Sequence, residues 1–350
     1  MAPSIAISTG DPLGIGPEVL LKALAAPLPS PTRILLYGHV APFTRAARET
    51  SHPLSWRVLA AEEPVPEDTG VYLIDHPAIP LPDLSTHEDN PLAGAASFEC
   101  LDRAINACLP SNANAPLADA LVTAPISKRA WAMAGHARWP GHTELLAHRL
   151  GADRVAMLFD SPRLRVALVT HHIPLLSLAE HLTREAILDA IRLAHEYVLA
   201  LGVDAPRVAV CGLNPHAGEQ GLLGHEEQDI ITPAIDAARQ QGIDARGPFP
   251  ADTVFLGALE GRSDIVVAMY HDQGLIPVKT IARDEAVNVT AGLPVPRTSP
   301  DHGVAYDIAG KNRANPSSMR RAIELAVTLA NRRANKSGAP GSVVKADPAR

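Results

Sequence analysis

The chain has 350 residues, of which 46% are hydrophobic and 20% charged, with 31 basic and 38 acidic side chains and a formal charge of −7. That balance excludes a disordered or fibrous chain, and the lack of any block of like charge argues against a nucleic-acid partner. The length favours two domains, and 4% aromatics with 24 Gly and 32 Pro call for aliphatic cores joined by sharp turns.

The elements follow in order. Ser4 to Ser8 alternates as a strand, a Gly-rich loop Gly10-Asp11-Pro12-Leu13-Gly14-Ile15-Gly16 comes next, and Pro17-Glu18 opens a helix that ends before Pro27. A strand at Arg33 to Tyr37, a helix at Phe43 to Glu49 and an apolar run at Val71 to Ile74 continue the alternation. An Ala-rich helix (Ala95 to Cys108) and a turn-rich stretch (Pro110 to Pro116) lead to a strand at Ala120 to Thr123. Further β runs at Leu164 to Thr170, Arg207 to Gly212 and Asp264 to Tyr270 are separated by amphipathic helices at Arg184 to Leu201 and Ile230 to Gln241. A last helix covers Ser317 to Arg332, and the polar end beyond Asn335 is expected to be poorly ordered. Strands alternating with helices predict an α/β chain with a parallel sheet.

Three cysteines, Cys100, Cys108 and Cys211, contain no CxxC pair, which argues against disulfides and a thiolate metal site and for a reducing compartment. The start of the chain has no basic, apolar leader pattern and no run of 18 apolar residues occurs, so the expectation is a cytoplasmic protein with no membrane partner.

The loop at 10–18 fits neither GxGxxG nor GxxxxGK[ST], so it either offers amides to an anion or only permits a tight turn. More informative is that three late β runs end on histidine, at His171-His172, His216 and His271. If those strands are parallel, the imidazoles lie on the edge where open α/β sheets bind ligands, and they suit a borderline divalent cation. His142, Thr143, Lys279, Asn288 and Arg297 could converge on a phosphate or carboxylate; the alternative for each is a helix start or a solvated charge. Asp252 and Asp272 are candidate bases or metal ligands, or else turn and cap residues.

Taken together, TGDPLGIGPE (9–18), LVTAPISK (121–128), GHTE (141–144), VALVTHHIPL (166–175), GLNPHAGE (212–219), PFPADT (248–253), MYHDQG (269–274) and VNVTAGLPVPRTSPDHG (287–303) resemble the 4-hydroxythreonine-4-phosphate dehydrogenase family. The resemblance implies two α/β/α domains like those of isocitrate and isopropylmalate dehydrogenases, with the active site in the interdomain cleft. It implies residues 1–125 with 268–335 as one domain, 126–267 as the other, and a disordered tail at 336–350. It implies a homodimer with shared active sites, in which His172, His216 and His271 bind Zn²⁺, Mg²⁺ or Co²⁺; His171 is the less favoured neighbour, since the family's ligand directly precedes the hydrophobic-Pro-Leu step. It also implies substrate binding by His142, Thr143, Lys279, Asn288 and Arg297. Lys279, Asp252 and Asp272 are the candidate proton acceptors, and NAD or NADP the oxidant, with its contacts suspected in 288–303 and around Lys128.

The implied reaction is oxidation of 4-phosphooxy-L-threonine at C3, then decarboxylation to 3-amino-2-oxopropyl phosphate, in pyridoxal 5′-phosphate biosynthesis. Where the family has Gly-Val-Asn this chain has Ala286-Val287-Asn288, preceded by Asp284 and Glu285, which bears on substrate choice. The alternatives are a D-threonate or D-erythronate 4-phosphate dehydrogenase of the same family, a noncatalytic binding protein for a phosphorylated metabolite, and a metal-dependent hydrolase. The histidine triad disfavours the second, and the lack of accompanying carboxylate ligands the third.

Overall fold

The computed structural model describes residues 2–110 and 115–337. Its strands are β1 (Ser4–Ser8), β2 (Arg33–Gly38), β3 (Arg57–Ala60), β4 (Gly70–Asp75), β5 (Ala120–Thr123), β6 (Ala156–Asp160), β7 (Arg165–Leu168), β8 (Arg207–Cys211), β9 (Asp244–Phe249), β10 (Ile265–Ala268), β11 (Val287–Ala291) and β12 (Arg297–Pro300). The helices are α1 (Gly16–Ala23), α2 (Val40–Thr50), α3 (Pro91–Ala107), α4 (Lys128–Trp131), α5 (His142–Leu150), α6 (Leu178–His181), α7 (Arg184–Ala200), α8 (Thr232–Gln240), α9 (Ala251–Leu259), α10 (His271–Ala282) and α11 (Ser317–Ser337). Part of the turn-rich stretch at 110–116 lies outside the described residues, and of the tail expected to be disordered from 336, Lys336 and Ser337 instead continue α11 and the rest lies outside the described residues.

All strands join one sheet in the order β3-β4-β2-β1-β5-β12-β11-β6-β7-β10-β8-β9. The expected parallel sheet is mixed. β11 runs antiparallel to both β12 and β6, and β6 antiparallel to β7, so the parallel group β3 to β12 and the parallel group β7 to β9 run in opposite directions. β6, β11 and β12 are not among the strands read from the sequence: β11 alternates polar with apolar residues and β12 is Arg297-Thr298-Ser299-Pro300, where a fully buried strand reads as a continuous apolar run, and β6 is a brief apolar run closed by Asp160. Helix α3 starts four residues before its predicted start, because Asn90 accepts a hydrogen bond from the Leu92 amide at 2.8 Å and Pro91 needs no amide partner at the first helical position.

One face of the sheet carries a continuous core in which Ile5, Ile7, Val122, Val289, Leu158, Val210 and Val267 meet the apolar sides of α1, α7, α8 and α11. On the opposite face the core is divided. Ala6, Leu35 and Leu121 pack with α3 and α5, while Phe159, Val166, Leu168 and Val266 pack with α9 and α10. Side chains alternate along a strand, so the residues of β5, β12 and β11 that face this interruption are Thr123, Arg297, Ser299, Asn288 and Thr290. The fold thus opens a polar gap between two helical layers.

Asp160 closes the apolar side: its carboxylate takes hydrogen bonds from Arg165 (2.8 Å), Arg321 (2.9 Å) and Tyr197 (2.8 Å), joining β6, β7, α7 and α11. Asp160→Ala is expected to lower the unfolding free energy by about 3 kcal/mol, the low end for breaking a buried pair, because both arginines retain some solvent contact. The urea midpoint measures it; a loss below about 1 kcal/mol would contradict this role.

Candidate active site

The gap holds a cavity of about 330 Å³. Its walls are built by the ends of β5 and β12, the loop 124–128, the start of α5, and His172 beyond β7. His142, Thr143, Asn288, Arg297 and His172 all line it.

Arg297 is 3% exposed. Its guanidinium donates to the Thr290 hydroxyl at 3.0 Å and the Thr123 hydroxyl at 2.6 Å, Nε has no partner, and among the described residues no carboxylate forms an ion pair with it. Burial pulls its pKa down to about 10, with Glu144 opposing, so the charge persists at neutral pH. An uncompensated buried cation costs several kcal/mol, and an anionic ligand is what offsets it. His142 packs edge-on against Trp131, and its buried Nε2 also lacks a partner. Burial, aided by the Arg297 and Lys128 cations, pushes its pKa well down, so His142 meets the ligand as a neutral imidazole. The Asn288 carbonyl oxygen is a third buried group without a partner.

Lys279 does not line the cavity itself but forms an ion pair at 2.5 Å with Asp301, which does. Burial raises the Asp301 pKa, and Lys279 opposes the shift. His302, also in the wall, accepts or donates nothing through its buried Nε2, while Nδ1 lies 3.1 Å from the Gly303 carbonyl. That contact requires the proton on Nδ1 and leaves Nε2 as a lone pair. Thr123, Asp301 and His302 were not singled out from sequence; their places at the ends of β5 and β12 were the available clue.

β7, β10 and β8 are adjacent and mutually parallel, so His172, His216 and His271 do follow carboxyl ends on one edge. The His172 and His271 rings stand 5.7 Å apart, and His171 stacks edge-on to His172 at 5.2 Å. Burial lowers the pKa of His172, which favours the neutral, ligating form. His271 Nδ1 lies 2.6 Å from Asp272, leaving Nε2 for a ligand. Asp272 is therefore engaged with a histidine, and Asp252 lies exposed in the first turn of α9, away from the cavity walls. His216 sits in a left-handed turn, Pro215–Gly221, in which five consecutive residues have φ between 46° and 78°. Four of these are not glycine, and each costs roughly 1–2 kcal/mol relative to right-handed backbone. Among the described residues, no three His, Cys, Asp or Glu side chains come together to hold a metal within one chain.

The Gly-rich loop resolves differently. Gly10 has φ 73°, and a Cβ there would lie 2.3 Å from the Pro125 carbonyl. The Asp11 amide donates to Pro125 O (2.9 Å), the Ile15 amide to Val304 O (2.9 Å) and the Leu13 amide to the Asp11 carboxylate (2.8 Å). With those amides used internally, the loop joins the segments that wall the cavity and is not an open anion cradle.

A family pattern described as pyridoxal phosphate biosynthetic protein PdxA matches residues 31–326. The chain belongs to this family. It is 43% identical over 347 residues to a 4-hydroxythreonine-4-phosphate dehydrogenase of Geobacter metallireducens, covering 97% of this chain and 98% of the relative. It is also 43% identical over 335 residues to a D-threonate 4-phosphate dehydrogenase of Cupriavidus necator, covering 95% and 98%. The crystal structure of a 4-hydroxythreonine-4-phosphate dehydrogenase from Klebsiella pneumoniae superposes with a TM-score of 0.80 at 39% identity, covering 94% of this chain and 98% of that one.

For this PdxA family member, Arg297→Met should separate stability from binding. The variant is expected to be as stable as the parent or more so, since a buried charge is removed, while its affinity for inorganic phosphate falls about 10–100-fold. Calorimetric titration and thermal melting report the two effects; unchanged phosphate affinity would show that the cation serves no anion.

Proposed function

We propose that the protein oxidises 4-phosphooxy-L-threonine at C3 with NAD or NADP and that decarboxylation of the resulting β-keto acid yields 3-amino-2-oxopropyl phosphate for pyridoxal 5′-phosphate synthesis. The observation that carries this reading is Arg297, a buried cation without a carboxylate, facing a cavity shared with His142, Asn288 and His172. A doubly charged phosphate or a carboxylate matches it, and membership of the PdxA family supplies the substrate class.

In this reading Arg297, His142 and Thr143 hold the anionic end of the substrate, Asn288 adds an amide contact, and Lys279 is tied to the wall through its ion pair with Asp301. Of the three candidate proton acceptors, Asp272 is bonded to His271, Asp252 lies away from the walls, and Lys279, paired with Asp301, would first have to give up its own proton. His302, Gly303 and Lys128, which line the same cavity, would hold the dinucleotide, whose nicotinamide would supply the hydride acceptor.

His172, His216 and His271 hold a divalent cation, and neutral imidazoles suit Zn²⁺ or Co²⁺ better than Mg²⁺. Such an ion supplies Lewis-acid polarisation of the reacting oxygen. The shell is completed between two copies of the chain, which agrees with the incomplete set in one chain and with apolar side chains left exposed beside the ligand segments: Leu176 (99%), Leu222 (78%) and Ile276 (65%). Residues 1–125 with 268–335 form one domain and 126–267 the other, with α10, assigned to the first, packing on β7 and β10 of the second. A D-threonate or D-erythronate 4-phosphate substrate is the second reading, favoured by the equal identity to relatives of both names.

Chelator-stripped protein should reduce NAD⁺ or NADP⁺ with 4-phosphooxy-L-threonine only after a divalent metal is added. Turnover confined to the two sugar-acid phosphates would transfer the protein to the second reading, and silence with all three would remove the dehydrogenase assignment. His216→Ala is expected to weaken metal binding strongly, leaving a residual affinity from the remaining histidines, and to abolish turnover with little change in fold by circular dichroism; full activity without bound metal would refute the histidine site. Leu176→Glu combined with Leu222→Glu should give a monomer by light scattering, with activity reduced at least about 100-fold, because each site would lose its partner ligands.

A further inference from the structure

The left-handed turn that carries His216 is entered through three residues, Gly212 to Asn214, whose backbone amides are all hydrogen-bonded. Gly212 donates its amide to the Phe249 carbonyl at 2.7 Å, and its own carbonyl accepts from the Gln273 side chain at 2.8 Å. The Leu213 and Asn214 amides both donate to one oxygen of Glu227, at 2.8 and 2.7 Å, and the Asn214 side chain donates to the other at 2.9 Å. Glu227 is 3% exposed and no Lys or Arg pairs with it among the described residues, so its charge is met by these donors. Space is as restricted as the bonding: a Cβ on Gly212 would lie 3.2 Å from Glu227 Oε1 and 2.9 Å from the Ala217 Cα.

Gln273 also faces the other way. It is the third residue of α10, two after His271, and its side-chain oxygen accepts from the Met269 amide at 2.6 Å. One buried amide therefore spans from the strand end that leads to His271 to the strand end that leads to His216. Neither Gln273 nor Glu227 reaches an imidazole in the described contacts, and neither lines the substrate cavity.

We infer that Gln273 and Glu227 are positioning residues that fix the strained His216 turn relative to the start of α10, so that His216 is presented to a cation without first reorganising its backbone. The inference rests on the metal-site reading. The bonds hold the non-strained entry of the turn, and the cost of the left-handed run is offset in the apoprotein, before any ion arrives. Losing either clamp lets the turn relax, and a cation must then bring it back at the expense of affinity.

The test uses the full chain, stripped of metal, as Gln273→Leu, Gln273→Glu and Glu227→Gln. Gln273→Glu keeps the acceptor for Met269 and turns the bond to Gly212 into a repulsion, so it remains informative should the leucine variant fold poorly. Hydrogen exchange of segment 212–224 without metal is expected to speed up at least about ten-fold in each variant. Zn²⁺ affinity, read by chelator competition, should fall about 10–100-fold. On a His216→Ala background the Gln273 change should alter Zn²⁺ affinity by less than about two-fold, since a residue acting through His216 has nothing left to position. Exchange and Zn²⁺ affinity unchanged in the clamp variants, with His216→Ala still weakening binding, would overturn the clamp and leave the metal site standing. A full additional loss on the His216→Ala background would reduce Gln273 to a general stabiliser and also overturn it. Wild-type Zn²⁺ affinity in His216→Ala alone would overturn the metal reading and the clamp with it.

Discussion

The central strands of the sheet must satisfy opposite demands on their two faces. β5, β12, β11 and β6 bury Val122, Thr298, Val289 and Leu158 on one side against a continuous helical layer, and on the other side β5, β12 and β11 present Thr123, Arg297, Ser299 and Asn288 to a break between two helical layers. A cation at the floor of that break can be buried only because hydroxyls of neighbouring strands solvate it and because a ligand completes the job. Much of the site follows from that condition. His142 is kept neutral next to Arg297, and the amides of the loop at 10–16 are already paired, so the polar groups left without partners in the cavity are those of His142, Asn288 and Arg297.

Two kinds of loop surround the cavity. The loop at 10–16 is consumed in structure: Asp11 accepts from both the Leu13 amide and the Tyr306 hydroxyl (2.8 Å), which ties the amino-terminal segment to the loop after β12. The turn at 215–221 is the reverse, held firmly at its entry yet left-handed and exposed where His216 projects. Strain of this kind persists only where the surroundings over-determine it, and here the surroundings are a buried glutamate and a buried glutamine. Rigid support beneath an exposed surface turn is what a ligand site with exact geometry requires.

The opposite directions of the two parallel strand groups give the molecule a division of labour. The ends of β5 and β12 bring the anion-binding groups, while the ends of β7, β8 and β10 bring the histidines. α10 joins the two, carrying His271 in its first turn and Lys279 in its last. Its path explains how a substrate held by its phosphate or carboxylate can present another atom to the histidine end. The leucines beside those histidines, Leu176 and Leu222, stand exposed, the surface on which the proposed second chain would pack.

The sequence by itself determined the α/β class, most of the helices, the strand-end histidines and the polar set His142, Thr143, Asn288 and Arg297, because periodicity and residue chemistry are local properties. Family motifs carried the implied activity for the same reason: they are short strings that survive in order along the chain. Only the tertiary structure decided that β11 and β6 run antiparallel to their neighbours, since short strands acquire direction from their partners and not from their own residues. It also decided that Lys279 reaches the cavity through Asp301, that Asp272 is bonded to His271, that Asp252 stands apart, and that Gln273 and Glu227 hold the His216 turn. Each of these depends on distances between residues far apart in the chain, and burial, which makes Arg297 demand an anion, exists only once the sheet and its two helical layers have closed around it.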